Sequence, residues 1–182
     1  MTNSFQSKAK QIMKKLVIAL LFFSVAIGSS QAQSIVKLDP ISLAFGQLRA
    51  GYEKFSDKNS IYVGASYISR NFFGVKYSGA GVFGQYRWYL SDVDTPKGIF
   101  VGPHVGFNYI SFNNSFTENF SYSALRLGGI IGYQGTIGTN FTWEVGIGPS
   151  YGLTFGSSDS FTNLFGSGIV PVSSFAVGYV LD

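Results

Sequence analysis

Six ionisable side chains stand out because they fall inside otherwise apolar segments: Arg49, Glu53, Arg87, His104, Arg126 and Glu144. Their immediate alternates are mostly glycine, glutamine or small polar residues. Two acids set among three arginines and a histidine could pair with one another, bind or conduct a solute, or support acid–base chemistry. Pairing requires acids and bases on facing elements, and Glu144 with Arg87 or Arg49 is the expected pair. Acid–base chemistry would centre on His104, the single histidine. A Ser–His–acid hydrolase needs a serine within reach of that ring. Ser66 and Ser150 fall at the same phase, but nothing in their spacing marks them. With one histidine and no cysteine, no metal site is expected, and no cofactor. The glycine-rich pieces lie on strand-like segments with no following helix, so they are not nucleotide fingerprints.

The elements that must position these residues are strands. In Phe141–Tyr151 the odd positions are Phe, Trp, Val, Ile, Pro and Tyr, and the even ones Thr, Glu, Gly, Gly and Ser. Side chains on a strand alternate faces. One face is therefore apolar with aromatics at both ends, and the other carries glycines and one carboxylate. In a soluble sandwich the apolar face would be the core. Here the pattern is that of a lipid-facing strand of a transmembrane barrel, with aromatic girdles and a polar lumen. About 9–11 tilted residues cross a bilayer, and this segment is long enough. The same alternation runs through Gln47–Lys54, Ser60–Ser69, Gly79–Leu90, Ile99–Ser111, Ser121–Gln134 and Val172–Asp182. It places Trp88, Tyr109, Tyr133, Phe141, Trp143, Tyr151 and Tyr179 as the aromatic girdle, and the six ionisable groups inside as a lumen charge network.

That makes seven strands. An eighth is expected at Ile35–Leu43, weakened by Asp39-Pro40, because proline cannot donate to a ladder. The connections, Phe55–Asn59, Arg70–Ser78, Ser91–Gly98, Phe112–Phe120, Gly135–Asn140 and Gly152–Gly168, run broadly short then long. Outer-membrane barrels have short periplasmic turns, long outer loops and an even strand count. The expected fold is all-β: an eight-stranded antiparallel up-and-down transmembrane β-barrel, whose closure leaves no edge exposed to lipid. The loop phenylalanines Phe72, Phe73, Phe112, Phe116, Phe120, Phe155, Phe161 and Phe165 are expected to pack on one another above the bilayer, or to form a binding surface.

Ahead of the barrel, Lys8, Lys10, Lys14 and Lys15 precede the apolar run Leu16–Ile27, and Ser30 and Ala32 stand as small residues before a cleavage point. Residues 1–32 thus read as a secretory signal peptide, with Met13 an alternative start, and 33–182 as one outer-membrane β-barrel domain. The apolar run is short of the ~20 residues a membrane helix needs. The chain carries 13 Lys+Arg against 9 Asp+Glu, and the surplus of four is these leader lysines. The basic pI is therefore no argument for nucleic-acid binding. The absence of cysteine excludes a disulfide framework and a lipid-carrying cysteine at the cleavage point.

Tyr86-Arg-Trp-Tyr-Leu-Ser91, Pro96-Lys-Gly-Ile-Phe-Val-Gly-Pro103, Gly129-Ile-Ile-Gly-Tyr133, Gly146-Ile-Gly-Pro149 and Gly51-Tyr-Glu53 resemble segments of a family of small outer-membrane β-barrels of unknown function, broadly like the OmpA transmembrane domain, OmpX and OmpW. The resemblance implies an eight-stranded barrel in the outer membrane and no particular activity. His104 stands where the family pattern leads one to expect an aromatic. It also implies that the last strand, with Phe175, Val177, Tyr179 and Leu181 on one face, is read by the barrel assembly machinery. The chain is expected to end with its barrel, without a peptidoglycan-binding domain. The expected protein is a non-enzymatic, monomeric outer-membrane barrel in contact with lipid, its lumen plugged by side chains, with a structural or interaction role through its long loops. The alternatives are a narrow channel for small or apolar solutes, a lipid A-modifying barrel enzyme using His104, and a secreted lipocalin-like barrel with its apolar positions inside.

Overall fold

The structure, a computed structural model, describes residues 33–72, 75–91, 96–114, 120–156 and 168–181. The expected leader, residues 1–32, lies outside them, as do the loop phenylalanines Phe73, Phe116, Phe161 and Phe165. Eight strands alternate with turns: β1 (Ser34–Leu38), β2 (Gln47–Ser56), β3 (Asn59–Phe72), β4 (Val75–Tyr89), β5 (Gly98–Asn114), β6 (Phe120–Ile137), β7 (Phe141–Gly156) and β8 (Gly168–Leu181). A short helix α1 (Pro40–Ala44) joins β1 to β2. Each strand pairs antiparallel with its neighbours, and β1 returns to β8, so the sheet closes into an up-and-down barrel. The closing seam holds five registered pairs, Ser34↔Leu181 to Leu38↔Val177. Both ends of the barrel chain therefore lie at one rim, called the lower rim below.

Strand phase follows the alternation in the sequence. On β7, Phe141, Val145, Ile147 and Tyr151 are exposed outward while Thr142, Glu144 and Ser150 are buried inward. The same division holds on β4, where Val82 and Trp88 point out and Gln85 and Arg87 point in. Large apolar side chains thus cover the outside of the wall; Val82 is 59 % and Ile147 63 % exposed.

Two expectations are corrected. The first strand stops at Leu38, not Leu43. Asp39 caps α1, its Oδ1 accepting from the Ser42 amide at 2.8 Å and its Oδ2 from the Ser42 hydroxyl at 2.7 Å. Pro40 then occupies the first turn, where a missing N–H leaves no bond unmade. The proline that weakens a strand is here the start of a helix. Second, the connection expected over Arg70–Ser78 is mostly strand. β3 and β4 stay paired up to Phe72↔Val75, leaving two residues between them. Lower connections are therefore not uniformly shorter than upper ones. Of the expected loop phenylalanines, Phe72, Phe112, Phe120 and Phe155 lie on strands. Phe112 rings with Tyr77 and Tyr122, at 5.8 and 6.0 Å between centroids.

Two Gly-Pro steps shape the wall. Opposite Gly102-Pro103 the β4–β5 ladder skips Tyr86 and Arg87, and opposite Gly148-Pro149 the β6–β7 ladder skips Gly129 and Ile130. Proline has no N–H to offer, and the glycine before it lets the neighbouring backbone close in. A Cβ on Gly102 would stand 1.7 Å from the Tyr86 carbonyl oxygen and 3.2 Å from the Arg87 Cα. We expect Gly102→Ala to destabilise the barrel by ~1–3 kcal/mol, because backbone must move. Gly84→Ala, whose Cβ has no neighbour nearer than 3.7 Å, should change stability by no more than ~0.5 kcal/mol. Urea unfolding of both variants under the same conditions reads the difference.

Candidate functional site

The lower half of the lumen is filled. Ile35, Phe55, Tyr89, Phe100 and Val180 pack into an apolar floor. Above it lie four charges, Lys37, Glu53, Arg87 and Glu144, with side chains 1 %, 0 %, 0 % and 1 % exposed. They come from β1, β2, β4 and β7, and their formal charges cancel. Burial of ions is tolerated only when they pair and their remaining valences are met, and here they are. Arg87 grips Glu144 with two bonds, Nη1 to Oε2 at 2.8 Å and Nη2 to Oε1 at 3.0 Å, the two-pronged geometry a guanidinium favours. Its Nη1 also reaches Glu53 Oε1 at 3.2 Å, and its Nε donates to Gln85 Oε1 at 2.8 Å.

Lys37 Nζ pairs with both carboxylates and donates to Gln134 Oε1. Glu53 Oε2 meets its partner as this ion pair rather than as a hydrogen bond. The hydroxyls of Ser60 and Tyr89 donate to Glu53, and that of Ser174 to Glu144. The rings of Tyr62 and Phe100 enclose the Arg87 guanidinium, with centroids 4.4 and 4.2 Å from Cζ, a favourable cation–π placement.

Above this layer the lumen opens into a cavity of about 800 Å3. Arg49, Ser66, Phe83, His104, Asn108 and Arg126 line it, with Asp39 and Ser42 of the α1 cap at its mouth. The outward-facing Ile131, Val145 and Ile147 also border it: with glycine at the inward positions 132 and 146, the inner wall there is backbone. Arg49 lies over the Phe83 ring at 4.2 Å and donates from Nη1 to the Ser173 carbonyl at 3.1 Å. His104 stacks against Phe83, with centroids 6.3 Å apart, and its Nδ1 lies 3.3 Å from Gln85 Nε2. Gln85 thus joins the cavity histidine to Arg87 below.

The six expected lumen residues all face inward, but they divide into two groups. Glu53, Arg87 and Glu144 form the buried layer; Arg49, His104 and Arg126 line the cavity. The two groups lie at different depths, and Glu144 pairs with Arg87 and not with Arg49. The expected plug fills only the lower lumen. Lys37 was not among the expected residues. The alternation Val36-Lys37-Leu38 marks it, since Val36 and Leu38 point outward, but Asp39-Pro40 obscured that strand's phase.

No described serine or carboxylate is hydrogen-bonded to His104. The Ser150 hydroxyl donates to the Val170 carbonyl at 2.7 Å. Among the described residues no group of three or more His, Cys, Asp or Glu is placed to hold a metal ion, and no helix is long and apolar enough to cross a membrane.

The expected girdle residues all lie on the outer face. Trp88, Tyr133, Phe141, Trp143 and Tyr179 belong to the lower part of the wall, and Tyr109 and Tyr151 to the upper part. Neighbouring strands bring the rings together: Phe141–Tyr179 at 5.4 Å and Tyr133–Trp143 at 5.6 Å between centroids. Comparison with protein families, with characterised proteins and with solved structures finds no match.

Proposed function

We propose that this barrel is an integral protein of a bacterial outer membrane, of the same kind as the small OmpA-, OmpX- and OmpW-like barrels. In this reading it is non-enzymatic and contributes to the envelope by its presence and by what its upper connections meet. One observation carries the proposal: polarity is inverted. Apolar side chains cover the outside of a closed sheet while four ions are sealed within it. Exposing that much contiguous apolar surface to water is unusual for a monomer, whereas hydrocarbon accepts it.

The dimensions support the same reading. Phe141 and Tyr151 bracket the outer face of β7 at ten residues' separation. At ~3.3 Å per residue and a tilt of ~40° this corresponds to ~25 Å of height, which is the height of the apolar band in outer-membrane barrels. Closure of β1 on β8 leaves no unpaired edge for lipid to solvate. The leader-like residues 1–32 fit export, and β8 ends on the outward alternation that barrel assembly would read.

Trp88 and Trp143 are the two tryptophans of the chain, and both sit on the outer face near the lower rim. In vesicles containing brominated phospholipids, bromines near the headgroups should quench their fluorescence more than bromines at the bilayer centre. An emission untouched by any brominated lipid would overturn the membrane reading. Planar-bilayer recording tests the lumen separately. The filled lower half should give no stable unitary conductance; discrete conducting steps would favour a narrow solute channel instead.

A further inference from the structure

We infer that the upper lumen is a binding site for a small organic carboxylate with a flat apolar body. The charged layer below is self-neutralising, so it asks for no ligand. The cavity above is not. Two guanidiniums, Arg49 and Arg126, line it, and Asp39 is the one carboxylate among its described lining residues. Both Asp39 oxygens are already taken by Ser42 at the α1 cap. Arg126 has no hydrogen bond or ion pair to any described residue, and Arg49 spends a single N–H on the Ser173 carbonyl. Positive charge held in a low-dielectric recess draws an anion, and a guanidinium with free prongs fits a carboxylate edge-on.

The rest of the cavity sets the shape of that anion. Phe83 presents a ring between Arg49 and His104, and Gly106, Gly132 and Gly146 add backbone to the lining, with the Phe100 ring packed on Gly132 and Ile130 on Gly146. Ser66 and Asn108 supply the remaining polar groups. An aromatic or short-chain carboxylate can set its charge against Arg126 and its body against Phe83. A bare inorganic anion would use the arginines and leave the apolar part of the recess unfilled. The inference concerns the lumen and does not depend on what surrounds the wall.

The test is calorimetric titration of the purified barrel in detergent micelles at low salt, with benzoate, with neutral benzamide and with inorganic phosphate. Benzoate should bind saturably at one site and more tightly than either of the others. Arg126→Gln and Arg49→Gln should each weaken it by about tenfold or more while leaving the β circular dichroism intact. Neither residue belongs to the buried charge layer, so loss of one variant to misfolding still leaves the other to decide. Equal binding of benzoate and benzamide, equal binding of phosphate, or unchanged affinity in the folded variant overturns the inference, as does no binding of benzoate at all.

Discussion

Arg87→Met should cost the barrel about 3–5 kcal/mol of unfolding free energy, measured by urea titration in detergent or lipid. The substitution keeps most of the side chain's bulk and removes its charge. Glu53 and Glu144 are then left to share Lys37, one cation for two buried carboxylates, with the guanidinium's bonds to Glu53, Glu144 and Gln85 gone. The penalty comes from the stranded acid more than from the lost attraction, because a buried pair gives up much of its Coulomb energy in desolvation. That origin has its own signature. Arg87→Met combined with Glu144→Gln restores formal neutrality and should be destabilised by less than the sum of the two single changes, with a coupling of ~0.5–3 kcal/mol. A loss below about 1 kcal/mol for Arg87→Met alone would show that water reaches the layer and that the charges are not sealed.

The second large effect lies on the other face. Ile147→Arg should destabilise the barrel in lipid vesicles by about 2–4 kcal/mol, while Ile169→Arg should cost only ~0–1 kcal/mol. Both isoleucines are exposed on the outer wall, at 63 % and 83 %, so burial within the protein cannot separate them. Depth can. Ile147 lies between the aromatic positions Phe141 and Tyr151, and Ile169 pairs in register with Tyr151, at the level where headgroups would begin. A charge at the bilayer midplane is costly, and one at the interface is not. Were the outer wall bathed in water, both changes would fall within ~0.5 kcal/mol of zero.

Much of this architecture is legible in the alternation alone, for a physical reason. A closed sheet with one face in the lumen gives every strand the same binary code, so each inward residue can be phased from its own neighbours. Arg87 and Glu144 are placed inside by that code, and their pairing needs only facing strands. Where local chemistry competes with the pattern, the pattern misleads. Asp39-Pro40 reads as an interruption of a strand, yet it is a helix cap, and that reading hid Lys37 two residues earlier. Residues 70–78 are rich in turn-compatible types, but cross-strand pairing carries β3 and β4 through them. Depth was the hardest quantity to read. Strand tilt and stagger decide which inward residues meet, and these depend on the whole barrel rather than on any segment. That is why His104 and Arg49 separate from the buried layer although they share its phase.

The seam between the first and last strands has a bearing on how the cylinder comes into being. Five rungs join β1 to β8 and five join it to β2, against ten between β2 and β3, so β1 is the strand that backbone bonding holds least. Lys37 belongs to that short first strand, and it reaches past β8 to Glu144 on β7 and sideways to Glu53 on the adjoining β2. A ribbon of strands not yet rolled up cannot bring those three together. The latch can therefore snap shut only at the final moment of folding, and once engaged it ties the least-bonded strand to the strands on both sides of the seam.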